Sequence, residues 1–157
     1  MNVFVKKVQT DKAPKAIGPY SQATKLGDFV YLSGQVPLDP ETGKLAGDSI
    51  EEQTHQVMKN IGAILEELGL RYDHIMKTTV FLKDLADFQA FNEVYAGYFD
   101  DQYPARSCIA VADIPAGAKV EIECLVIDTM VYEQQMAAQQ GGCSSCGGGC
   151  DSGCGGC

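Results

Sequence analysis

The sequence predicts an α+β fold in which a single mixed sheet is covered on one face by two helices. Three observations carry this expectation. Segments of alternating polarity stand near both ends of residues 3–127. Two stretches with helical periodicity lie between them, separated by one strand-like run. The last strand carries apolar residues on both faces, which suits a sheet with something packed on each side.

Taken in order, residues 3–8 alternate weakly and form a first strand. Leu26-Gly27-Asp28-Phe29 reads as a tight hairpin turn joining a strand at 21–26 to Phe29-Val30-Tyr31-Leu32-Ser33. Pro37 to Gly47 is a loop, since Asp39-Pro40 and Thr42-Gly43 are turn dipeptides. Ser49-Ile50-Glu51-Glu52 is a capping box, Ser49 being the N-cap and Glu52 the residue reaching back. The helix it opens carries Val57, Ile61, Ile64, Leu65 and Leu68 on one stripe and ends at Gly69. Ile75 to Leu82 is a strand. Asp84 caps a second helix running to about Phe99, with Phe88, Phe91, Val94, Tyr95 and Tyr98 or Phe99 facing inward. Arg106–Val111 and Lys119–Ile127 complete the sheet around a Pro115-Ala116-Gly117 turn. Along Lys119–Ile127 one face carries Val120, Ile122, Cys124 and Val126; the other carries Glu121, Glu123, Leu125 and Ile127. A monomer with one wet face has no use for Leu125 and Ile127 there, whereas an oligomer does.

Composition narrows the function. The chain has 157 residues, 45% of them hydrophobic, enough for the core of one domain. A net charge of -9 without any basic stripe argues against nucleic acid, whose binding rests on phosphate neutralisation. The start Met1-Asn2-Val3-Phe4-Val5-Lys6 has neither the apolar stretch nor the cleavage site of a signal peptide, and no run reaches membrane-span length. A soluble cytoplasmic protein follows as the expectation. No GxGxxG or GxxxxGK[ST] occurs, and His55 and His74 are the only histidines, so nucleotide, triad and histidine–metal chemistries lack parts.

Arg106 is one of two arginines and sits in Pro104-Ala105-Arg106-Ser107-Cys108-Ile109-Ala110-Val111, where an apolar strand begins. A guanidinium there suits a carboxylate, which its planar fork grips through two parallel hydrogen bonds. Gly18-Pro19-Tyr20-Ser21-Gln22-Ala23 and Ser33-Gly34-Gln35-Val36-Pro37 place hydroxyls and glycines at strand ends. Together, in this order, the three segments resemble the Rid family (YjgF/YER057c/UK114) of small enamine/imine deaminases, over about residues 3–127.

The resemblance implies a chorismate-mutase-like fold and a homotrimer with its sheets in a central barrel and its sites at subunit interfaces. It implies cofactor-free hydrolysis of small imino and enamine acids such as 2-aminoacrylate, to ammonia and a 2-keto acid. It assigns Arg106 to the substrate carboxylate and Glu121 to the attacking water and its proton. Tyr20, Ser33 and Asn92 become pocket-lining polar groups, and Cys108 a position whose backbone carbonyl meets substrate or water. Each residue also has an ordinary reading: Tyr20 on a strand, Ser33 in a turn, Asn92 on a solvated helix face, Glu121 beside Glu123 on a wet strand face. A reactive thiolate at Cys108, favoured by Arg106, competes with a buried structural thiol. The rival from another class is a non-catalytic module that senses a carboxylate metabolite or binds a protein. An endoribonuclease activity, known for some members, is disfavoured by the acidic charge.

The Rid-like domain occupies residues 1–127, a linker or short helix 128–142 and a Cys/Gly-rich tail 143–157. Cys143, Cys146, Cys150, Cys154 and Cys157 follow C-x2-C-x3-C-x3-C-x2-C. Soft thiolates at such spacing chelate zinc, copper(I) or iron–sulfur centres. Against this, no apolar residue other than cysteine is present to shield a cluster, and glycine makes ordering costly. Metal binding, redox exchange, maturation of a modified peptide and a tail with no bound partner all stay open.

Overall fold

In the computed structural model, which describes residues 2–140, strands β1 (Lys6–Val8), β2 (Ala23–Leu26), β3 (Phe29–Gln35), β4 (Ile75–Leu82), β5 (Ala105–Ala110) and β6 (Val120–Ile127) form one six-stranded sheet. Helices are α1 (Ile50–Glu67), α2 (Phe88–Ala96) and α3 (Met130–Gln140). The strand order is β1-β2-β3-β6-β4-β5. Only β4 and β5 are parallel, and the crossover between them carries α2; every other neighbour pair is antiparallel. The expected mixed sheet under α1 and α2 is therefore present.

Local chemistry accounts for α1. Ser49 Oγ accepts from Glu52 N at 3.1 Å while Glu52 Oε2 accepts from Ser49 N at 3.2 Å, so two orphan donors are satisfied reciprocally. Gly69, at φ 69°, turns the chain out of the helix, and Leu70 N donates to Leu65 O at 2.9 Å. The stripe Val57, Ile61 and Ile64 is fully buried against Val30, Leu32, Val80, Ile122 and Val126 of the sheet. Phe91 and Tyr95 of α2 join the same core.

The opposite sheet face carries Tyr31, 56% exposed, together with Phe29, Thr79, Glu123, Leu125 and Ile127. No described element covers it. Leu125 and Ile127 lie on that face, as the alternation in β6 requires.

Several boundaries differ from the sequence reading. The first strand spans only Lys6–Val8, because Asn2 folds the start into a turn: its Oδ1 accepts from Phe4 N at 3.0 Å. The third strand runs on to Gln35 through a bulge between Leu32 and Gln35. Asp84 caps a 3₁₀ turn (Leu85–Asp87) and not α2 itself, and α2 stops at Ala96 before reaching Phe99. Phe88 is 39% exposed and not part of the core, since the strand beside it, β5, is a sheet edge.

Helix α3 follows β6 directly. Arg71 binds Asp73 (3.2 Å) and, from Nη2, Glu133 on α3 (3.2 Å). Asp128, at the base of α3, pairs with Lys25 and accepts from Met130 N at 3.1 Å. No helix among the described residues is long and apolar enough to cross a membrane.

Candidate active site

Arg106 stands on the edge strand β5, facing the helices, because it pairs in register with buried Thr78 of β4. Its guanidinium lies over three rings: Tyr95 at 5.0 Å, and Phe88 and Phe91 each at 5.7 Å. Nη1 donates to Asn92 Oδ1 at 2.7 Å. Asn92 and Tyr95 are one helical turn apart, so α2 presents both to the same cation. No carboxylate of the described residues pairs with Arg106, although Arg71 has two. A cleft of about 430 Å³ opens here, lined by Asn92, Tyr95, Ala96, Tyr103, Pro104 and Arg106. Its chemistry is that of an anion site, with a cation solvated by π faces and one amide oxygen and most of its donors free.

Tyr20, Ser33 and Glu121 meet elsewhere, around a second cleft of about 280 Å³ lined also by Ile17, Gly34, Val36 and Pro115. Ser33 Oγ donates to Ser21 O at 2.6 Å, and Tyr20 Oη accepts from Ile17 N at 3.4 Å. The loop before β2 is held by Gln22, which is buried and donates to the carbonyls of Thr10, Ala13 and Pro14. Glu121 lies directly over the Gly34 backbone: a Cβ at Gly34 would stand 1.9 Å from Glu121 Oε1. Burial, and then the charge of Glu123, pushes the Glu121 carboxyl above the usual glutamate range. That is the direction a proton carrier near neutral pH needs.

The sequence-derived candidates thus fall into two groups. Arg106 pairs with Thr78, and Thr78 with Cys124 of β6; Glu121 lies three residues before Cys124 and points to the other face. From strand spacing and rise the two Cα atoms are roughly 14 Å apart. Within one chain, Arg106 with Asn92 and Glu121 with Tyr20 and Ser33 are half-sites on opposite faces of the sheet. Cys108 belongs beside the first group, half-buried in β5, and burial raises its thiol pKa despite the lowering effect of Arg106. That direction favours the structural thiol over the thiolate. Cys124 is buried as expected. The five tail cysteines lie outside the described residues.

Three participants escaped the sequence reading. Gly34 was visible only as part of a motif; its role as the seat for Glu121 depends on pairing between distant strands. Tyr95 looked like one more apolar position, and Thr78 like any strand residue. The spacing of Asn92 and Tyr95 was the one available signal for the pair.

Comparison with known proteins shows the family to which the chain belongs. The family model described as endoribonuclease L-PSP (Ribonuc_L-PSP) matches residues 10–128. Reactive Intermediate Deaminase A, chloroplastic, of Arabidopsis thaliana is 54% identical over 118 residues, 75% of this chain and 63% of that protein. The chain therefore spans under two thirds of that relative's length. The 2-iminobutanoate/2-iminopropanoate deaminase of Mus musculus is 44% identical over 126 residues, 80% of this chain and 93% of that protein. Among solved structures, E. coli TdcF with bound serine superposes with a TM-score of 0.74 at 43% identity, covering 78% of this chain and 98% of that one.

Proposed function

Because the chain belongs to the Ribonuc_L-PSP family, the Rid family in which imine deaminases are found, we propose that it hydrolyses small imino and enamine acids to 2-keto acids and ammonia. The observation that carries this reading is Arg106, a cation oriented by Asn92 and aromatic rings and paired with no acid among the described residues. A substrate carboxylate supplies the missing anion. Mouse and Arabidopsis relatives carry deaminase names, and the solved TdcF holds serine, an amino acid of comparable size.

In the proposed reaction an enamine such as 2-aminoacrylate is first protonated at C3, which gives the iminium. Water adds to C2 as Glu121 accepts its proton, and the same carboxyl then delivers a proton to the nitrogen. Ammonia leaves as the C2 hydroxyl becomes the ketone and gives its proton to solvent, in return for the solvent proton taken up at C3. One water enters, one ammonia departs, and no electrons are exchanged, so no cofactor is called for. Arg106 fixes the carboxylate and draws electron density from C2. Tyr20 and Ser33 offer hydroxyls to the carbinolamine oxygen and nitrogen. Positioning and charge complementarity carry such chemistry, because the substrate brings its own electrophile. RNA fits less well: phosphate binding wants a basic surface, and this chain carries -9.

The half-sites become one site when a second copy brings its Glu121 half-site against the Arg106 half-site of the first. A homotrimer closes such a head-to-tail contact and covers the open apolar sheet face around Phe29, Tyr31 and Leu125. The test combines activity with complementation. Ammonia release from enzymatically generated 2-aminoacrylate should be accelerated by the protein and abolished by Arg106→Ala or Glu121→Gln. Mixing the two inactive variants after unfolding and refolding should restore about a quarter of the sites, since each site needs one intact Arg106 and one intact Glu121 from different copies. Equal rates with and without wild-type protein would overturn the deaminase reading. A monomeric native mass, or no rescue on mixing, would overturn the shared site.

A further inference from the structure

Buried hydroxyl pairs need a reason, and Tyr95 with Thr78 is such a pair. Tyr95 is 4% exposed and Thr78 is 1% exposed; their oxygens are 2.9 Å apart. Replacing both by apolar residues of the same shape is often nearly neutral for stability, so the hydrogen bond is not a necessary device for holding α2 on the sheet. What it does achieve is geometric. Thr78 is the cross-strand partner of Arg106, and Tyr95 provides the nearest ring to the Arg106 guanidinium. The ring is hemmed by Phe91 at 5.3 Å and Phe99 at 4.9 Å, and its far end is pinned to the strand that flanks β5.

We infer that Tyr95, latched by Thr78, is a positioning residue that sets the plane of the Arg106 guanidinium and hence its two-point grip on the substrate carboxylate. This rests on the reading of Arg106 as carboxylate anchor. Asn92 fixes one Nη1 hydrogen within the plane, and the Tyr95 face fixes the tilt of that plane. Together they leave the remaining edge of the fork free for two parallel bonds to an incoming carboxylate. With the latch gone, a phenylalanine at 95 keeps the ring and its π face but lets it slide. The cation then stays bound while the fork loses its aim. An amide ligand, which cannot take both bonds as an anion, should scarcely notice.

The experiment compares pyruvate with pyruvamide as inhibitors of the full-length protein and of Tyr95→Phe, Thr78→Val and the double variant, with Arg106→Ala as reference. The preference for the carboxylate over the amide, read as the ratio of inhibition constants, should fall about fivefold in each single variant. It should fall no further in the double, because both changes remove the same bond. The thermal midpoint should drop by a few degrees in each single variant, which leaves one buried hydroxyl unpartnered, and recover in the double. A wild-type ratio in both single variants, or equal weakening of the two ligands, would overturn the positioning role while leaving the anchor in place. An unchanged ratio in Arg106→Ala would instead overturn the anchor reading, and this inference with it.

Discussion

Replacing Gly34 with alanine separates activity from folding in this protein. The added methyl group would stand 1.9 Å from Glu121 Oε1, 2.8 Å from its Cδ and 3.1 Å from its Cγ, and it meets no backbone atom that close. Ordinary contact begins near 3.4 Å, so the carboxylate must retreat by about 1.5 Å. Glutamate is long and only half-buried in β6, and it can make that move by changing rotamer at a cost of about 1 kcal/mol. Gly34 does not have the positive φ that would strain an alanine, and alanine restricts the unfolded chain. Stability should therefore change by less than about 1 kcal/mol, a shift of only a few degrees in the melting midpoint. The proton carrier, however, is displaced by more than the ~1 Å that typically costs a hundredfold in rate. We expect kcat to fall by roughly two orders of magnitude with the circular dichroism spectrum and the oligomer mass unchanged. Coupled keto-acid assays and thermal melts on the same preparation decide it. Wild-type turnover in Gly34→Ala would refute the claim that Glu121 works from its seat over that glycine, and a large loss of stability would refute the claim that the side chain yields.

Arg106→Lys should be nearly as damaging as Arg106→Ala, by roughly 2–4 kcal/mol in transition-state stabilisation, because an ammonium cannot make the planar two-point contact; kcat/KM measured for both variants checks it. Burial and Glu123 both raise the Glu121 pKa, so if its ionised form accepts the proton, the acid limb of kcat/KM lies above the usual glutamate range. Glu123→Gln removes only the second influence and should move that limb to lower pH; a limb that stays put or moves up would contradict the assignment. Removing residues 141–157 should leave the rate and the number of subunits unchanged, since every site residue named lies between Ile17 and Glu121. Native mass with and without chelator, on full-length and truncated protein, then reads any metal bound by the tail thiols separately.

What could be read from the sequence was local. The capping box at Ser49 and the stop at Gly69 involve neighbours within a turn, so α1 was legible almost to the residue. The two-faced β6 was legible because alternation along one strand is a property of that strand alone. Asp84 misled because a short acidic cap serves a 3₁₀ turn as well as an α-helix. Phe88 misled because an amphipathic stripe does not reveal that the strand beside it is an edge. The division of the site into two halves was hidden for a deeper reason. It follows from β4 lying between β5 and β6 and from the register of both pairings, which are long-range facts. Arg106, Asn92, Tyr20, Ser33 and Glu121 could be picked out singly, but the company each keeps could not.

The two arginines of this chain have opposite fates. Arg71 is tied to Asp73 and Glu133, whereas Arg106 is held by an amide oxygen and aromatic faces in a molecule with twenty-one acidic residues. Polarisable rings orient a cation without neutralising it, so the anchor keeps its full charge for the ligand. The rest of the molecule does the reverse. At a net charge of -9 the far field repels the anionic acids that the pocket would hold, and attraction begins only within about a Debye length of Arg106. Raising ionic strength should then hasten the capture of anionic ligands at low salt, until screening reaches the anchor itself. Salt dependence with a maximum is the kinetic signature of a cationic anchor in a molecule of net negative charge.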